Sequence, residues 1–318
     1  MRDSKPQSTA LNSALEVVKR YQILLFVVLL AFYAVVVMNG LIDGKWGRLA
    51  GGWENLRIFF AESLPPDWSV LEARSYPECN QSIGFFCSIA YLGMLETIKI
   101  AFVATIFGFI GAILLSSLAA RNLVPFWVSI IIRILLSAMR SLPSLIWAIL
   151  FVIIFGLGPL AGVLAMTFYT IGYLGKLQYE AIEGMDSAPL EASRATGLTR
   201  PEILTNVVIP ETSNHLLSQL MFMFEYNVRH GTVIGIVGAG GIGYYISNYL
   251  NLFLYDKVFA LLLVTFIVVV LIDMISMAVR SFVNEDGDVR RPSWLTVFFS
   301  PNRAVRYHKV RSDVEGED

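Results

Sequence analysis

The sequence predicts an all-α membrane protein that crosses the bilayer about six times. Of its 318 residues, 56% are hydrophobic and only 15% are charged, and the mean hydropathy is +0.63. Such a composition is typical of polytopic membrane proteins, because each membrane-spanning helix needs about 20 largely apolar residues. The net charge of −1 argues against a broadly basic protein that binds nucleic acid through its positive field.

The first long apolar run, residues 21–38, predicts the first transmembrane helix. Residues 1–20 before it are polar and end in Lys19 and Arg20, and basic residues beside a span favour the cytoplasmic side. No small-residue cleavage site follows the run, so we interpret it as a retained helix rather than a removed signal peptide. A signal anchor without further function fits the same residues.

Residues 39–90 are interpreted as a long external segment. Within it, residues 53–62 carry apolar side chains at helical spacing and predict a short interfacial helix. The chain's two cysteines, Cys79 and Cys87, also lie here. An oxidising compartment permits a disulfide between them, and two unpaired thiols are the alternative that the sequence leaves open.

Residues 91–282 form the predicted transmembrane core. Its first helix, the second span of the chain, extends from about residue 95 to residue 119. Glu96 and Lys99 near the outer end of this span are three residues apart, a spacing that places both on one helix face. We therefore expect them to form an ion pair at the membrane interface.

Two arginines complicate the next apolar region. We interpret residues 125–139 as an amphipathic helix lying in the interface, and residues 142–157 as the third span. Arg133 and Arg140 then lie at the cytoplasmic boundary, because an arginine is costly in hydrocarbon but can extend its side chain to the headgroups. The fourth span, residues 160–174, returns the chain to the cytoplasm.

A polar stretch, residues 180–212, separates the fourth span from the fifth and predicts two short helices. Asp186 or Ser187 is placed to cap the first helix, and Gly197 is placed to end it. A T-x-x-E capping box that begins at Thr199 starts the second helix. The pattern predicts a compact helical corner that a partner's groove can hold.

Glu191, Ala192, Gly197, Ile209 and Pro210 have the spacing of a known signature, with Ser193 where the signature usually has a second alanine. The stretch resembles the cytoplasmic EAA loop of permease subunits of ABC importers, which docks into the ATP-binding subunit. The resemblance implies a type I importer permease core, two ATP-binding subunits that bind ATP and magnesium, an external solute-binding protein, and a second permease copy or close paralogue. It implies no catalytic residue, cofactor or metal in this chain.

The fifth span, residues 214–235, contains Glu225, Asn227 and Arg229 in an otherwise apolar helix. Ionisable groups inside a membrane normally face a partner or an aqueous path. Glu225 and Arg229 are four residues apart and can pair with each other. Alternatively, Arg229 and Asn227 line the translocation path and meet an anionic substrate, and the two interpretations are compatible.

A glycine-rich stretch, residues 235–243, follows the fifth span. No strand precedes it, which argues against a nucleotide-binding loop; we expect Gly240 and Gly241 to allow close helix packing beside the path. Residues 258–279 predict the sixth span, with Asp273 near its cytoplasmic end. The basic tail, residues 283–318, then favours a cytoplasmic C-terminus, either as an interfacial helix or as a disordered segment.

Within the ABC permeases, residues 40–280 look similar to permeases of phosphonate importers. The segments that carry this resemblance are residues 157–165, 195–197, 224–229 and 237–243. The resemblance implies a multi-pass protein of the cell membrane that imports a small anion, phosphonate first, by alternating access. Phosphite, a phosphate ester or another small solute are alternatives, because residues 140–144 look more like ABC permeases in general. An ion-coupled secondary transporter or channel is the alternative from another class.

Overall fold

A computed structural model describes residues 7–74 and 83–283 of the chain. All regular secondary structure in these two ranges is helical, so the predicted all-α fold is confirmed. The chain forms two compact units, one ending at Leu64 and one beginning at Pro65. The predicted external segment, residues 39–90, is therefore divided between the two units.

The first unit consists of two helices. Helix α1 is Gln7–Leu41 and helix α2 is Gly47–Ser63. The apolar window Leu24–Leu41 of α1 is long enough to span a membrane, and none of it is buried by other parts of the chain, as expected of a helix that faces lipid. Both helices are longer than the helices predicted at residues 21–38 and 53–62.

The second unit contains the remaining helices. They are α3 (Ile89–Ala119), α4 (Phe126–Ser141), α5 (Ser144–Phe155), α6 (Pro159–Glu183), α7 (Ser187–Ala195), α8 (Arg200–Ile203), α9 (Ile209–Ile234), α10 (Ile242–Asn251) and α11 (Tyr255–Val283). Across the described ranges, four helices are long and apolar enough to span a membrane, and six spans result when each of two bent helix pairs counts as one. The expected number of about six spans is confirmed.

Helices α3 and α6 pack along each other at the centre of the second unit, and α4, α5 and α9 pack against one or both of them. Small residues allow this close approach: Ala104 and Ala112 of α3 are fully buried, and a Cβ atom at Gly108 would overlap the side chain of Thr170. Close approach through small residues is the usual way in which membrane helices associate, since lipid supplies no hydrophobic driving force between them.

The segment before α3 packs on the same unit. Val70, in a short 3₁₀ helix, is buried with Ala90 and Met94 of α3. Asp67 precedes this turn and accepts the backbone N–H of Ser69 at 2.9 Å, which holds the pKa of Asp67 below its ordinary value. The Asp67 carboxylate also lies 3.7 Å from the ammonium group of Lys257 at the start of α11.

The structure describes only one of the two cysteines. Cys87 ends a short 3₁₀ helix, Gly84–Cys87, directly before α3, and it is disulfide-bonded. Cys79 lies outside the described residues, as do residues 284–318 of the predicted tail. The pairing of Cys79 with Cys87 and the interfacial or disordered nature of the tail stay predictions.

Helix α4 does not lie in the interface, and that prediction is wrong. Arg133 pairs with Glu183 at the end of α6, whereas the backbone of Arg140 contacts Gly172. Gly172 precedes Glu183 by eleven residues, which is about 17 Å along a helix axis. Helix α4 therefore descends beside α6 into the core, and the half-buried Arg140 lies well away from the Glu183 end of α6 rather than at that boundary.

The break after α4 has a local cause. Pro143 removes a backbone N–H, and it restricts Leu142 before it to extended geometry, which is found at φ −102° and ψ 138°. The axes of α4 and α5 consequently differ by 85°. Helix α5 has 12 residues, about 18 Å, which is too short to cross a bilayer core of about 30 Å alone. The third span predicted at residues 142–157 is thus not a span by itself; α5 is one part of a bent helix pair, which forms either a broken span or a re-entrant loop.

The expected ion pair of Glu96 and Lys99 is also not formed. Among the described residues, no ion pair includes either side chain. Lys99 is exposed, whereas the Glu96 carboxylate lies beside Gly240. The spacing allows both side chains to lie on one helix face, but the Glu96 carboxylate contacts the turn that follows α9.

Candidate functional site

The loop between α6 and α9 folds as two short helices joined at a glycine corner, as predicted. Asp186 caps α7 by accepting the N–H of Ala188 at 3.2 Å, and Gly197 after α7 has a φ of +81° that favours glycine. Helix α8 begins with a complete capping box, in which the N–H of Thr199 donates to Glu202 at 2.7 Å. The helical corner is therefore determined by contacts within the loop.

The predicted docking residues are not all available to a partner. Glu191 is exposed, but Ser193 is only 5% exposed and its hydroxyl donates to the carbonyl of Leu190 at 2.8 Å. Ser193 therefore packs towards the core, which explains why a small residue is required there and removes it from the docking surface. The other predicted docking residues are exposed or half-buried: Ala192, Gly197, Ile209 and Pro210.

An apolar cluster attaches the loop to the helical core. Leu190 of α7, Ile203 of α8 and Val208 after α8 are buried together with Ala120 and Ile182 from the ends of α3 and α6. Burying a leucine or isoleucine side chain contributes about 1.5–3 kcal/mol. We therefore expect the loop to move together with the ends of α3 and α6 rather than independently of them.

Polar contacts also join the helices at the base of the loop. Glu183 at the end of α6 pairs with Arg133 of α4 and accepts the backbone N–H of Arg121 at 2.6 Å. The Arg133 Nε donates to the carbonyl of Ala119 at 2.9 Å, and its guanidinium lies 4.3 Å from the ring centroid of Tyr179. The ends of α3, α4 and α6 are thereby joined at the base of the loop.

A π-helical turn, Leu204–Val208, connects α8 to α9 without a break. Pro210 explains this turn, because a proline inside a helix cannot donate to the carbonyl four residues earlier and its ring crowds that carbonyl. The wider turn has the N–H of Ile209 donating to the carbonyl of Leu204. The loop is therefore the first part of one long helix, Arg200–Val237, that enters the core.

Helix α9 presents its polar side chains on different faces. Asn227 is 1% exposed, and its amide group donates to the hydroxyls of Thr105 in α3 at 2.9 Å and Thr170 in α6 at 3.0 Å. Asn227 thus joins three helices in the core and lines no open path in this chain. Its expected contact with substrate is corrected to a structural role, since its donors are already used.

Asn227→Ala is expected to destabilise the protein by about 1–3 kcal/mol, because the buried hydroxyls of Thr105 and Thr170 lose the amide donor that joins them, although Thr105 keeps its bond to the Ala101 carbonyl. Thermal unfolding of the purified permease in detergent measures this effect. Asn248→Ala, on the exposed face of α10, is the matched control and should unfold as the wild type does. Equal midpoints for the two variants would contradict the structural role of Asn227.

Glu225 lies in a cluster of four charged side chains between α9 and α11. The predicted pair of Glu225 and Arg229 is confirmed. The guanidinium of Arg280 in α11 is 3.6 Å from the Glu225 carboxylate, and the carboxyl group of Asp273 is within hydrogen-bonding reach of it. The Glu225 side chain is 6% exposed, whereas that of Arg229 is 52% exposed. The cluster ties α9 to α11, and a role of Arg229 in the substrate path stays a prediction.

The two candidate glycines of the substrate path form a turn packed on α3. Gly240 and Gly241 have φ angles of +85° and +79°, which favour glycine. A side chain at Gly241 would overlap the hydroxyl of Thr97, and that hydroxyl accepts the N–H of Ile242 at 2.9 Å. The expected close packing is present, and a place of these glycines in the substrate path stays a prediction.

A cavity of about 370 Å³, with a mainly apolar lining that includes several polar side chains, lies where α4 breaks into α5, facing α6 and α9. Its walls come from both sides of the break and from one face of α9. The lining residues are Arg140, Ser141, Pro143, Ser144, Leu145, Tyr169, Tyr226, His230 and Val233. The sequence interpretation assigned none of these residues to a binding site, although Arg140 was recognised as costly inside a membrane.

The aromatic side of this cavity is rigid. The rings of Tyr226 and His230 stack with centroids 3.8 Å apart, and the hydroxyl of Tyr226 donates to that of Tyr169 at 3.1 Å. The ring of Tyr173 stacks on those of Tyr169 and Tyr226 from outside the cavity. Tyr226, His230 and Val233 recur at the i, i+4 and i+7 spacing of one helix face, which was the signal available in the sequence.

Comparison with known proteins identifies the family that this chain resembles. Residues 112–285 match the family model described as binding-protein-dependent transport system inner membrane component. The phosphite transport system permease protein PtxC of Stutzerimonas stutzeri is 35% identical over 255 residues, which cover 80% of this chain and 85% of the relative. The putative phosphite transport system permease protein HtxC of the same organism is 35% identical over 237 residues, 74% of this chain and 78% of the relative.

Solved structures share the helical arrangement at lower sequence identity. An inward-facing methionine ABC transporter, MetNI, has a TM-score of 0.56 and 23% identity, covering 62% of this chain and 97% of that one. A bacterial alginate ABC transporter has a TM-score of 0.56 and 16% identity, covering 86% and 98%. These two likenesses show the fold alone. Together with the family match and the relatives, they lead to one conclusion: the chain belongs to the binding-protein-dependent transport system inner membrane components, the permease subunits of ABC importers.

Proposed function

We propose that this permease imports a small phosphorus oxyanion, of the phosphonate and phosphite class, in an ATP-driven transporter. The observation that carries this substrate class is the 35% identity, over 80% of the chain, to a permease named for phosphite transport. A permease named for phosphate import, from Mycolicibacterium smegmatis, is 33% identical over 226 residues, 70% of this chain and 39% of that relative. A cryptic phosphonate permease of Escherichia coli adds support, at 38% identity over 37% of this chain.

The partners of this transporter follow from the same proposal. Two ATP-binding subunits bind the exposed side of the loop around Glu191 and hydrolyse ATP with magnesium. An external solute-binding protein delivers the oxyanion, and a second permease copy or close paralogue completes the path. The permease itself contributes binding and conformational change, and no hydrolytic residue.

The orientation of the chain follows from its charges. Basic residues are concentrated at the end of the second unit that carries the loop, and such residues favour the cytoplasmic side. They are Arg121, Arg133, Lys176, Arg194 and Arg200. This distribution supports a cytoplasmic position of the loop in a multi-pass inner-membrane protein, and we propose that both chain termini are cytoplasmic as well.

The mechanism is alternating access driven through the loop. When the ATP-binding subunits close, they displace α7 and α8. The displacement passes along the continuous helix Arg200–Val237 to Glu225 and the cavity residue His230. Because the apolar cluster joins the loop to the ends of α3 and α6, the same displacement tilts these helices and opens the path on alternate sides.

The test is uptake of radiolabelled phosphite and methylphosphonate by proteoliposomes that contain the permease, its ATP-binding subunit and its solute-binding protein. We expect uptake that requires both the binding protein outside the proteoliposomes and ATP hydrolysis inside them. Uptake driven by an ion gradient without the ATPase would instead support a secondary transporter, in which the neighbouring carboxyl groups of Glu225 and Asp273 carry protons. ATP-driven import that excludes all phosphorus oxyanions would overturn the substrate class.

A further inference from the structure

We propose that the cavity at the α4–α5 break is a binding site for the transported oxyanion inside the membrane-embedded core. This inference rests on the proposed function for its substrate class. The site takes the oxyanion after the solute-binding protein releases it, and it is separate from the charged cluster around Glu225. Arg140, Ser144 and Tyr169 are its hydrogen-bond donors.

Arg140 supplies the positive charge of the site. It is half-buried, it lies about 17 Å along α6 from the Glu183 end, and it lines the cavity. In the described part of the chain no carboxylate pairs with it, and its guanidinium donates one hydrogen bond, to the Ser137 hydroxyl at 3.3 Å. A guanidinium has five N–H donors, so several are left for a ligand. A half-buried arginine without a carboxylate partner, in a helix that packs within a membrane core, indicates a functional site.

Ser144 provides a second donor from the other side of the break. The residue is 4% exposed and lines the cavity, and its hydroxyl has no hydrogen-bond partner within residues 7–74 and 83–283. It is also the first residue of α5, a 12-residue helix, where the free N–H groups and the helix dipole favour an anion. Pro143 thus performs two functions, because it breaks the helix and turns its new N-terminus towards Arg140.

Tyr169 provides the third donor. The hydroxyls of Tyr226 and Tyr169 lie 3.1 Å apart; when Tyr226 donates and Tyr169 accepts, the hydrogen of the Tyr169 hydroxyl is available to a ligand. Tyr226 is therefore a positioning residue for Tyr169. His230 makes a hydrogen-bond contact with the carbonyl of Tyr226 through Nδ1 at 3.2 Å and forms part of the wall.

The lining chemistry selects for anions. Neither Asp nor Glu is among the residues that line the cavity, whereas a guanidinium and several hydroxyls are. Hydrogen bonds between charged donors and phosphate-type oxygens are stronger than neutral ones, and three donors from α4, α5 and α6 match the several oxygens of a phosphite or phosphonate. The cavity volume of about 370 Å³ is within the range of small-ligand sites.

The position of the site also couples it to transport. The α4–α5 break contributes Arg140 and Ser144 from two helices inclined at 85°, while Tyr169 belongs to α6. Any tilt of α6 relative to the break changes the distances among the three donors. The proposed alternating access therefore changes the affinity of the site between the two orientations.

The test is binding of radiolabelled phosphite to the detergent-purified permease–ATPase complex without the solute-binding protein, combined with uptake in proteoliposomes of the full transporter. Arg140→Gln is expected to weaken phosphite binding by at least about tenfold. Ser144→Ala and Tyr169→Phe, which change one hydroxyl each, should weaken it by about three- to tenfold. All three variants should lower the number of ions imported per ATP hydrolysed.

Two variants serve as matched controls. Tyr173→Phe removes a hydroxyl one turn further along α6, outside the cavity, and Arg57→Gln removes a surface arginine of α2; neither should change phosphite binding. The elution volume of each purified complex checks its assembly, so that the milder Ser144 and Tyr169 variants decide the result if Arg140→Gln does not assemble.

The outcomes separate this inference from the proposed function. If the wild type imports phosphite but all cavity variants bind and import it as the wild type does, the intramembrane site is wrong and the proposed function stands. If the wild-type transporter excludes phosphorus oxyanions while Arg140-dependent binding of another oxyanion, such as sulfate, is found, the substrate class is wrong and the site is supported.

Discussion

Replacing Glu191 by lysine is expected to abolish association of the permease with its ATP-binding subunit while leaving the permease folded. Glu191 is exposed on α7, and the described chain contains no ion pair with it, so the substitution breaks no internal contact. Losing a charged partner at a protein interface costs about 2–5 kcal/mol, and introducing a like charge adds repulsion. We therefore expect the affinity to fall at least about a hundredfold, which corresponds to a free-energy loss in the lower part of that range.

Retrieval of the ATP-binding subunit by tagged permease from detergent extracts measures this loss, together with ATP hydrolysis stimulated by the solute-binding protein. Glu72→Lys is the matched control, because Glu72 is exposed outside the loop, in the segment before α3. It should retrieve the wild-type amount of the ATP-binding subunit. If Glu191→Lys also retrieves that amount, the docking assignment of α7 fails.

Glu225→Ala is expected to destabilise the permease far more than Arg229→Ala, although the two residues form one pair. The Glu225 side chain is 6% exposed and also lies near Arg280. Its removal takes the shared carboxylate from Arg229 and Arg280, and the loss of these charge-assisted hydrogen bonds costs on the order of 1.5–3 kcal/mol, because the two arginines are partly exposed and Asp273 remains in the cluster. Arg229 is 52% exposed, and after its removal Glu225 keeps Arg280, so the loss should be about 1 kcal/mol or less.

Thermal unfolding of the purified variants and the yield of monodisperse protein measure this difference. The double variant Glu225→Ala with Arg229→Ala should unfold at a higher temperature than Glu225→Ala alone, because one uncompensated charge is removed with the carboxylate. Equal destabilisation by the two single variants would show instead that the i, i+4 pair acts alone and that Arg280 contributes nothing.

The helical corner after α6 was predictable because its determinants are local. The cap at Asp186, the positive φ at Gly197 and the box at Thr199 involve residues a few positions apart, and such spacings are visible in a sequence. The inward orientation of Ser193 was not predictable, since it depends on the ends of α3 and α6 that cover α7. The helical corner was therefore predicted correctly as a segment, whereas its docking role stays a prediction and Ser193 lies buried within it.

The polar residues of α9 were likewise predictable only in part. Their presence in an apolar span indicated function, and the i, i+4 spacing of Glu225 and Arg229 correctly predicted a pair. The sequence contains no information on which helix faces Asn227, so its role as a link among three helices emerged only from its contacts with Thr105 and Thr170. For the same reason, Tyr226 and His230 were not recognised as cavity residues.

Arg140 shows why depth in the membrane is hard to predict. Placing it at the boundary followed a correct rule, since arginine is costly in hydrocarbon. The rule has an exception when the arginine faces a cavity with other polar side chains, and this cavity lies where Pro143 breaks the helix and α6 and α9 pack around the break. The costly residue therefore indicated the cavity that we propose as a binding site.

The sequence by itself determined the all-helical class, the number of spans, the capped corner and the family resemblance, because apolar length, capping and motif spacing are properties of neighbouring residues. Tertiary structure alone decided that α4 descends into the core, that Asn227 is enclosed by three helices, and that Arg140, Ser144 and Tyr169 meet in one cavity. These features depend on which helix faces pack together, and those contacts join residues that are distant in the chain.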